Sequence, residues 1–259
     1  MHGGRALPIA ASALLVVAAA VLATLAGRAA LGRLIPAARA AEAEPTAHAI
    51  LEAIAALYGV LVAFVLAGAW DRLDQTRAAV RLEANAITDL QQIASVLPPP
   101  TRDELGRAIA AYRESVLEEL RLWDTGRTST ETDALVDRML RILAGFEPPT
   151  AGQAELQSRA FDVVEELSDQ RGVRLAMAQR TPPAVLWAIL IGGGAATLAV
   201  AAASSLGRRL PAAYVALLAA VIAFALFAIY ALSHPMRSGL AAEMAPLLDH
   251  ARGAAHRPD

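Results

Sequence analysis

The sequence predicts an all-α, polytopic membrane protein with four transmembrane helices and a cytoplasmic helical region between spans two and three. Two observations carry this. Four apolar runs, Ala6–Gly27, Ile50–Trp70, Ala184–Leu206 and Ala212–Leu232, each reach the roughly 20 residues that a helix needs to cross a bilayer. Their only formal charge is Glu52. The polar stretch between the two pairs has helical periodicity throughout and no strand-type alternation.

The first run follows Met1–Arg5, and Ala38-Arg39-Ala40 has the form of a signal-peptide cleavage site. The run exceeds the usual signal core of about 7–15 residues, and the cleavage-like triplet lies well past its end. An uncleaved first span is therefore expected. Four spans place both termini and the middle region on one side of the membrane. Arg5, Arg72, Arg77, Arg81, Arg171, Arg174, Arg180 and Arg237 lie near span ends on that side. Arg28, Arg33, Arg39, Arg208 and Arg209 lie on the other. The excess makes the shared side cytoplasmic. The expected organisation is residues 1–70 for spans one and two, 71–182 for the cytoplasmic region, 183–232 for spans three and four, and 233–259 for a C-terminal segment. The expected location is the bacterial plasma membrane.

Span two has no stop signal at its inner end. Trp70 sits where an interfacial aromatic belongs. Beyond it Asp71–Leu97 lacks Gly and Pro, and Leu73, Val80, Ile87 and Ala94 recur at heptad spacing. One helix of nearly 50 residues, about 70 Å long, is predicted. Pro98-Pro99-Pro100 ends it. Thr101 and Glu104 form a T-x-x-E capping box for the next helix. Its apolar face is Leu105, Ile109, Tyr112, Val116, Leu120 and Trp123, and Gly126 is its C-cap. Thr128–Thr132 reads as a polar loop. A short helix with Leu135, Met139, Ile142 and Leu143 ends near Gly145. After Pro148-Pro149, a long helix over Ala151–Ala178 carries Leu156, Phe161, Val164 and Leu167 on its apolar side. Thr181-Pro182-Pro183 opens span three, with Pro in the tolerated first turn. The C-terminal Ala241–Asp259 reads as a docked helix to about Arg252 and then a loose tail.

Composition excludes several functions. Hydrophobic residues make up 56% of the chain, and the net charge of -2 provides no field to attract nucleic acid. Every basic residue is Arg, as a GC-rich genome produces. No Cys is present, which removes disulfides, thiolate metal sites and cysteine nucleophiles. His2, His48, His234, His250 and His256 have no metal-binding spacing. No nucleophile–base arrangement or phosphate loop appears, so no enzyme, cofactor or metal site is expected.

The candidate residues concentrate in span two. Ala55, Gly59, Ala63 and Ala67 form a small-xxx-small seam, with Ala56 on the same side. The seam serves either helix packing or the lining of a pathway at the centre of an oligomer. Glu52 shares this face, opposite Ile54, Leu57, Leu61 and Val65. It either rings a pore mouth or is exposed at the interface. Arg72 and Arg77 are inner-mouth charges. Gly192-Gly193-Gly194 in span three serves either close packing against span four or a hinge. In the middle region Glu114, Glu118, Glu119, Glu165, Glu166 and Asp169 read as solvated faces with Arg neighbours. Divalent-ion binding by Glu118-Glu119 and Glu165-Glu166 is the other reading.

Several short motifs occur in a recognisable order. They are Tyr58-Gly59-Val60-Leu61-Val62-Ala63-Phe64, Ala69-Trp70-Asp71-Arg72, Glu83-Ala84-Asn85-Ala86 with Leu90, and Tyr112. Arg171-Gly172-Val173-Arg174-Leu175, Pro183-Ala184-Val185-Leu186-Trp187 and His234-Pro235-Met236-Arg237-Ser238-Gly239 follow. From Ile50 to Leu240 the chain resembles the bestrophin-like family of bacterial membrane proteins. The last motif is similar to the family's P-F-x-G, with Met236 in place of Phe. The resemblance implies a four-span subunit distantly related to bestrophins, which are pentameric anion channels lined by their second span. Carried over, Glu52 to Trp70 line the conduit, and Gly59, Ala63 and Leu66 are candidates for the constriction. Here the face is small where bestrophins have a bulky, aromatic neck, and its outer mouth carries a Glu.

Two functions follow as expectations. One is a homo-oligomeric, pentameric ion channel whose partners are lipid, inorganic ions and its own copies. The other is a non-conducting scaffold or sensor that presents the helical region to partners.

Overall fold

A computed structural model describes residues 9–34, 37–121, 129–179, 182–207 and 211–235. Among these residues every regular element is helical. The helices are α1 (Ile9–Leu34), α2 (Ala37–Ser95), α3 (Pro99–Arg121), α4 (Thr130–Ala144), α5 (Ala151–Gln179), α6 (Ala184–Ser204) and α7 (Ala212–Ser233), with a 3-10 turn over Ser205–Gly207 after α6. Four of them, α1, α2, α6 and α7, are long and apolar enough to cross a membrane. The chain is a multi-pass, all-α membrane protein. Trp123, the C-cap expected at Gly126, Thr128, Thr181, Arg208, Arg209, the motif from Met236 to Gly239 and the segment Ala241–Asp259 lie outside the described residues.

The chain divides into two compact units. One comprises residues 1–70 and 182–233, the other residues 71–181 and 234–259. In the first unit, α1 packs on α7 and α6, and α6 packs on α7. Tyr58, Val62, Leu190, Ile222 and Ile229 form its buried cluster. α1 buries none of its residues, and Leu14, Leu15 and Leu22 are exposed. An apolar surface of this kind is at equilibrium in lipid, where water supplies no driving force for its burial. Arg28 of α1 donates to the Oγ (2.7 Å) and carbonyl (3.4 Å) of Ser205. A cation placed there complements the negative end of the α6 dipole.

In the second unit, α3 packs on α4 and α4 on α5. The heptad residues Leu73, Val80, Ile87 and Ala94 of α2 are all buried, as are Leu105, Ile109, Tyr112, Val116 and Leu120 of α3. Gln157 of α5 donates to the carbonyls of Leu143 (2.7 Å) and Phe146 (2.8 Å), and so satisfies acceptors left over at the end of α4.

Three element ends differ from the sequence reading. α2 begins at Ala37, ahead of the apolar run that signals span two. α3 begins at Pro99, not at a Thr101 cap, and Arg102 N–H bonds the Pro98 carbonyl at 2.9 Å. Proline lacks an N–H, and first-turn N–H groups have no helical partner, so Pro99 and Pro100 fit the first turn itself. Pro183, by contrast, stands just ahead of α6 as its extended N-cap residue.

Candidate functional site

Within the first unit α2 has two unlike sides. At 3.6 residues per turn, Tyr58, Val62 and Ala69 fall on one side, and all three are buried. Leu61, Val65 and Leu66 are half-buried and pack against the same cluster. Glu52, Ala56, Gly59, Ala63, Ala67 and Trp70 form a stripe on the exposed side. Val60 and Phe64 farther round the helix are also exposed, and so is Leu57, which the sequence reading put on the side opposite Glu52. The structure therefore gathers Glu52, Ala56, Gly59, Ala63 and Ala67 on one open face and leaves Ala55, the first residue of the seam, half-buried with Leu66 at its edge. A Cβ at Gly59 would meet nothing within 4 Å, so this glycine makes no close approach within the chain.

The rotation of α2 is set by Tyr58. Its hydroxyl donates to the Leu190 carbonyl at 3.0 Å. A Cβ on Gly193 would lie 2.9 Å from Tyr58 Cδ2. On Gly194 it would lie 2.9 Å from Tyr58 Oη and 3.2 Å from Ile222 Cγ2. Gly193 and Gly194 thus form a notch that receives an aromatic ring from span two as well as a side chain from span four. Gly192 faces open space, and α6 is unbroken through all three.

The second unit contains a buried ion network. Arg174 of α5 donates through Nε to Glu83 Oε2 (2.7 Å) and through Nη2 to Glu83 Oε1 (3.2 Å) and Glu119 Oε2 (2.9 Å). Arg171 donates to both Glu119 oxygens (3.2 and 2.8 Å), to the Ser129 carbonyl (3.1 Å) and to Asp133. Tyr112 O–H donates to Glu83 Oε1 at 2.7 Å, and Ser129 N–H to Glu119 Oε1 at 3.0 Å. Four helices are tied together: Glu83 from α2, Tyr112 and Glu119 from α3, Asp133 from α4, and the two arginines from α5.

Burial and pairing compete in this network. Burial raises the Glu119 carboxyl, but hydrogen bonds and charge from Arg171 and Arg174, with the Ser129 N–H, outweigh it and lower its pKa to about 2. Burial lowers both guanidinium groups, yet Glu119 and Asp133 raise Arg171, and Glu83 and Glu119 raise Arg174. Burial and the adjacent Glu83 carboxylate push the Tyr112 hydroxyl well above its usual range. Arg171 and Arg174 thus hold their charge, Tyr112 holds its proton, and Glu119 stays ionised well below the usual carboxylate range.

This network corrects the reading of Glu119 as part of a solvated face. Glu114, Glu118, Glu165, Glu166 and Asp169 are exposed, whereas Glu119 is 3% exposed. The signal lay in helical phase. Glu119 follows Tyr112 by seven residues, Glu83 follows Val80 by three, and Arg171 and Arg174 follow Leu167 by four and seven. Each charge thus occupies a core position of its helix. Among the described residues no group of three or more His, Asp or Glu is placed to hold a metal ion. Arg72 and Arg77 are half-buried in this unit.

Glu83, Tyr112 and Arg174 come from three separate sequence motifs and meet at hydrogen-bond distance, and Arg171 joins them through Glu119. A family model described as a Bestrophin-like domain matches residues 18–247. No curated protein and no solved structure matches the chain.

Proposed function

The chain belongs to the bestrophin-like family, and from that premise we propose that it forms a homo-oligomeric, pentameric ion conduit in the bacterial plasma membrane. The α2 stripe of Glu52, Ala56, Gly59, Ala63 and Trp70 lines the path, with Leu66 at its edge. Residues 71–182 form a cytoplasmic vestibule, with Arg72 and Arg77 at the inner mouth and both termini on the same side. Lipid, inorganic ions and further copies of the chain are its partners.

One observation carries this reading. The charged, small-residue face of α2 is left open by the other helices of the chain, whereas Tyr58, Val62 and Ala69 of the same helix are buried. An ionisable group in a span belongs in a bundle interior or a water-filled path. A ring of copies provides one, and the small residues Ala56, Gly59 and Ala63 leave room for ions along it. Glu52 at the outer mouth draws cations toward the path.

Particle stoichiometry of the purified protein, followed by ion flux in liposomes, tests the proposal. The expected result is a symmetric ring with α2 at the axis. Flux should fall on Ala63→Trp, and cation flux should fall on Glu52→Arg. Monomers, or two-fold dimers without a central path, overturn it and leave the scaffold reading.

A further inference from the structure

We propose that the second unit binds a small phosphate ester bearing hydroxyl groups, at the open end of the α3–α4 pair; this stands apart from the reading of α2. A cavity of about 360 Å³ lies there, between the first turns of α3 and the last turns of α4. That volume is within the range of small-molecule sites. Arg138, Arg141 and Thr101 offer donors to it and Glu104 an acceptor. Ile142 and the buried Phe146 form an apolar wall.

The charged groups of this cavity are unspent. Arg138 and Arg141 lie one turn apart on one face of α4. Neither makes an ion pair or a hydrogen bond among the described residues. A basic residue in a last turn ordinarily serves the free carbonyls of its helix. Here Gly145 N–H bonds the Arg141 carbonyl, and Gln157 bonds that of Leu143, so this task is already met. Two cations one turn apart repel each other, and a bound anion relieves that cost. On the α3 side, Pro98, Pro99 and Pro100 have no N–H, so Thr101 carries the first backbone donor of the helix. Because α3 starts at Pro99, the Thr101 hydroxyl and the Glu104 carboxylate are not used in a capping box. A phosphoryl group matches this set. Its oxygens accept from two guanidinium groups and from Thr101, at the positive end of the α3 dipole. Glu104 repels bare phosphate but accepts from a hydroxyl elsewhere on the ligand, which favours the ester.

Isothermal titration calorimetry on the detergent-solubilised full chain tests this, with ribose 5-phosphate, inorganic phosphate and ribose as probes. Ribose 5-phosphate should bind more tightly than inorganic phosphate, and ribose should not bind. Arg138→Gln and Arg141→Gln should each weaken ribose 5-phosphate by about tenfold, as the loss of a charge-assisted hydrogen bond requires. Both side chains are exposed, so the unfolding midpoint without ligand should not fall. Should it fall, Arg138→Lys and Arg141→Lys take their place, and the loss of the planar fork should still weaken binding. Glu104→Gln should tighten inorganic phosphate and narrow the preference for the ester. Arg102→Gln, at an exposed residue outside the cavity that pairs with Asp103, should leave binding unchanged. No binding of ribose 5-phosphate at millimolar concentration overturns the proposal. Binding that the Arg138 and Arg141 variants leave intact, or that Arg102→Gln weakens equally, overturns it too. An unchanged preference in Glu104→Gln overturns the ester as the ligand class.

Discussion

Arg174 and Glu83, 91 residues apart in sequence, form a bidentate ion pair at 2.7 and 3.2 Å with neither side chain exposed. The pair joins α5 to α2 in the interior of the second unit. A buried pair repays its desolvation only when its geometry is good and its remaining atoms are bonded. Tyr112 and Glu119 supply those bonds here.

Loss of Arg174 should therefore be costly. Arg174→Met leaves Glu83 and Glu119 as buried like charges and should destabilise the protein by about 3–5 kcal/mol. Glu83→Gln should cost less. The double variant should cost less than the sum of the two, because the uncompensated charge is removed with its partner. Thermal unfolding of the detergent-solubilised full chain measures all three. Strict additivity would show that the pair is not coupled.

Acid should act through Glu119. Its folded pKa, lowered from 4.5 to about 2, means that the unfolded chain takes up the proton first. The stabilisation is complete above about pH 4.5 and is lost as pH falls from there toward 2. The total is on the order of 3 kcal/mol. Unfolding midpoints measured between pH 6 and 3 should fall in the unmodified protein. Glu119→Gln should lower the plateau and flatten this part of the profile. An equal slope in both proteins would assign the acid sensitivity elsewhere.

Tyr112→Phe removes the donor to Glu83 Oε1 and leaves the ring in place. A hydrogen bond to a charged group contributes about 1.5–3 kcal/mol, and a loss of that size is expected. The phenol should show no phenolate absorption at any pH at which the protein stays folded, because burial and the Glu83 charge both oppose ionisation. Titration by ultraviolet difference spectroscopy checks this.

The three glycines of α6 should respond differently. Gly192→Ala meets open space and should be neutral or gain up to about 1 kcal/mol of helix propensity. Gly193→Ala and Gly194→Ala should both destabilise the packing of α2 on α6. Tyr58→Phe removes the atom that Gly194→Ala would strike and should rescue that variant in part. It should not rescue Gly193→Ala, whose clash is with ring carbons. Thermal stability in detergent provides the comparison. Equal effects at all three sites would mean that the notch does not direct packing.

The sequence by itself determined the membrane class, the number of spans and the continuation of α2 past Trp70, because span length, charge exclusion and helical period are local properties of the chain. It also placed the heptad residues of α2 and the apolar face of α3 in the core. The tertiary structure decided what these signals face. Glu119 reads locally as one carboxylate of an acidic helix, and only the arrival of Arg171 and Arg174 from α5 makes it a buried ion. The glycines of α6 read as packing or hinge until Tyr58 of α2 occupies the notch. Leu66 and Ala63 are neighbours on a helical wheel, yet one packs against the buried cluster of the first unit and the other stays open. Helical phase fixes which residues share a side, but the partner of that side is set by contacts between segments far apart in the chain.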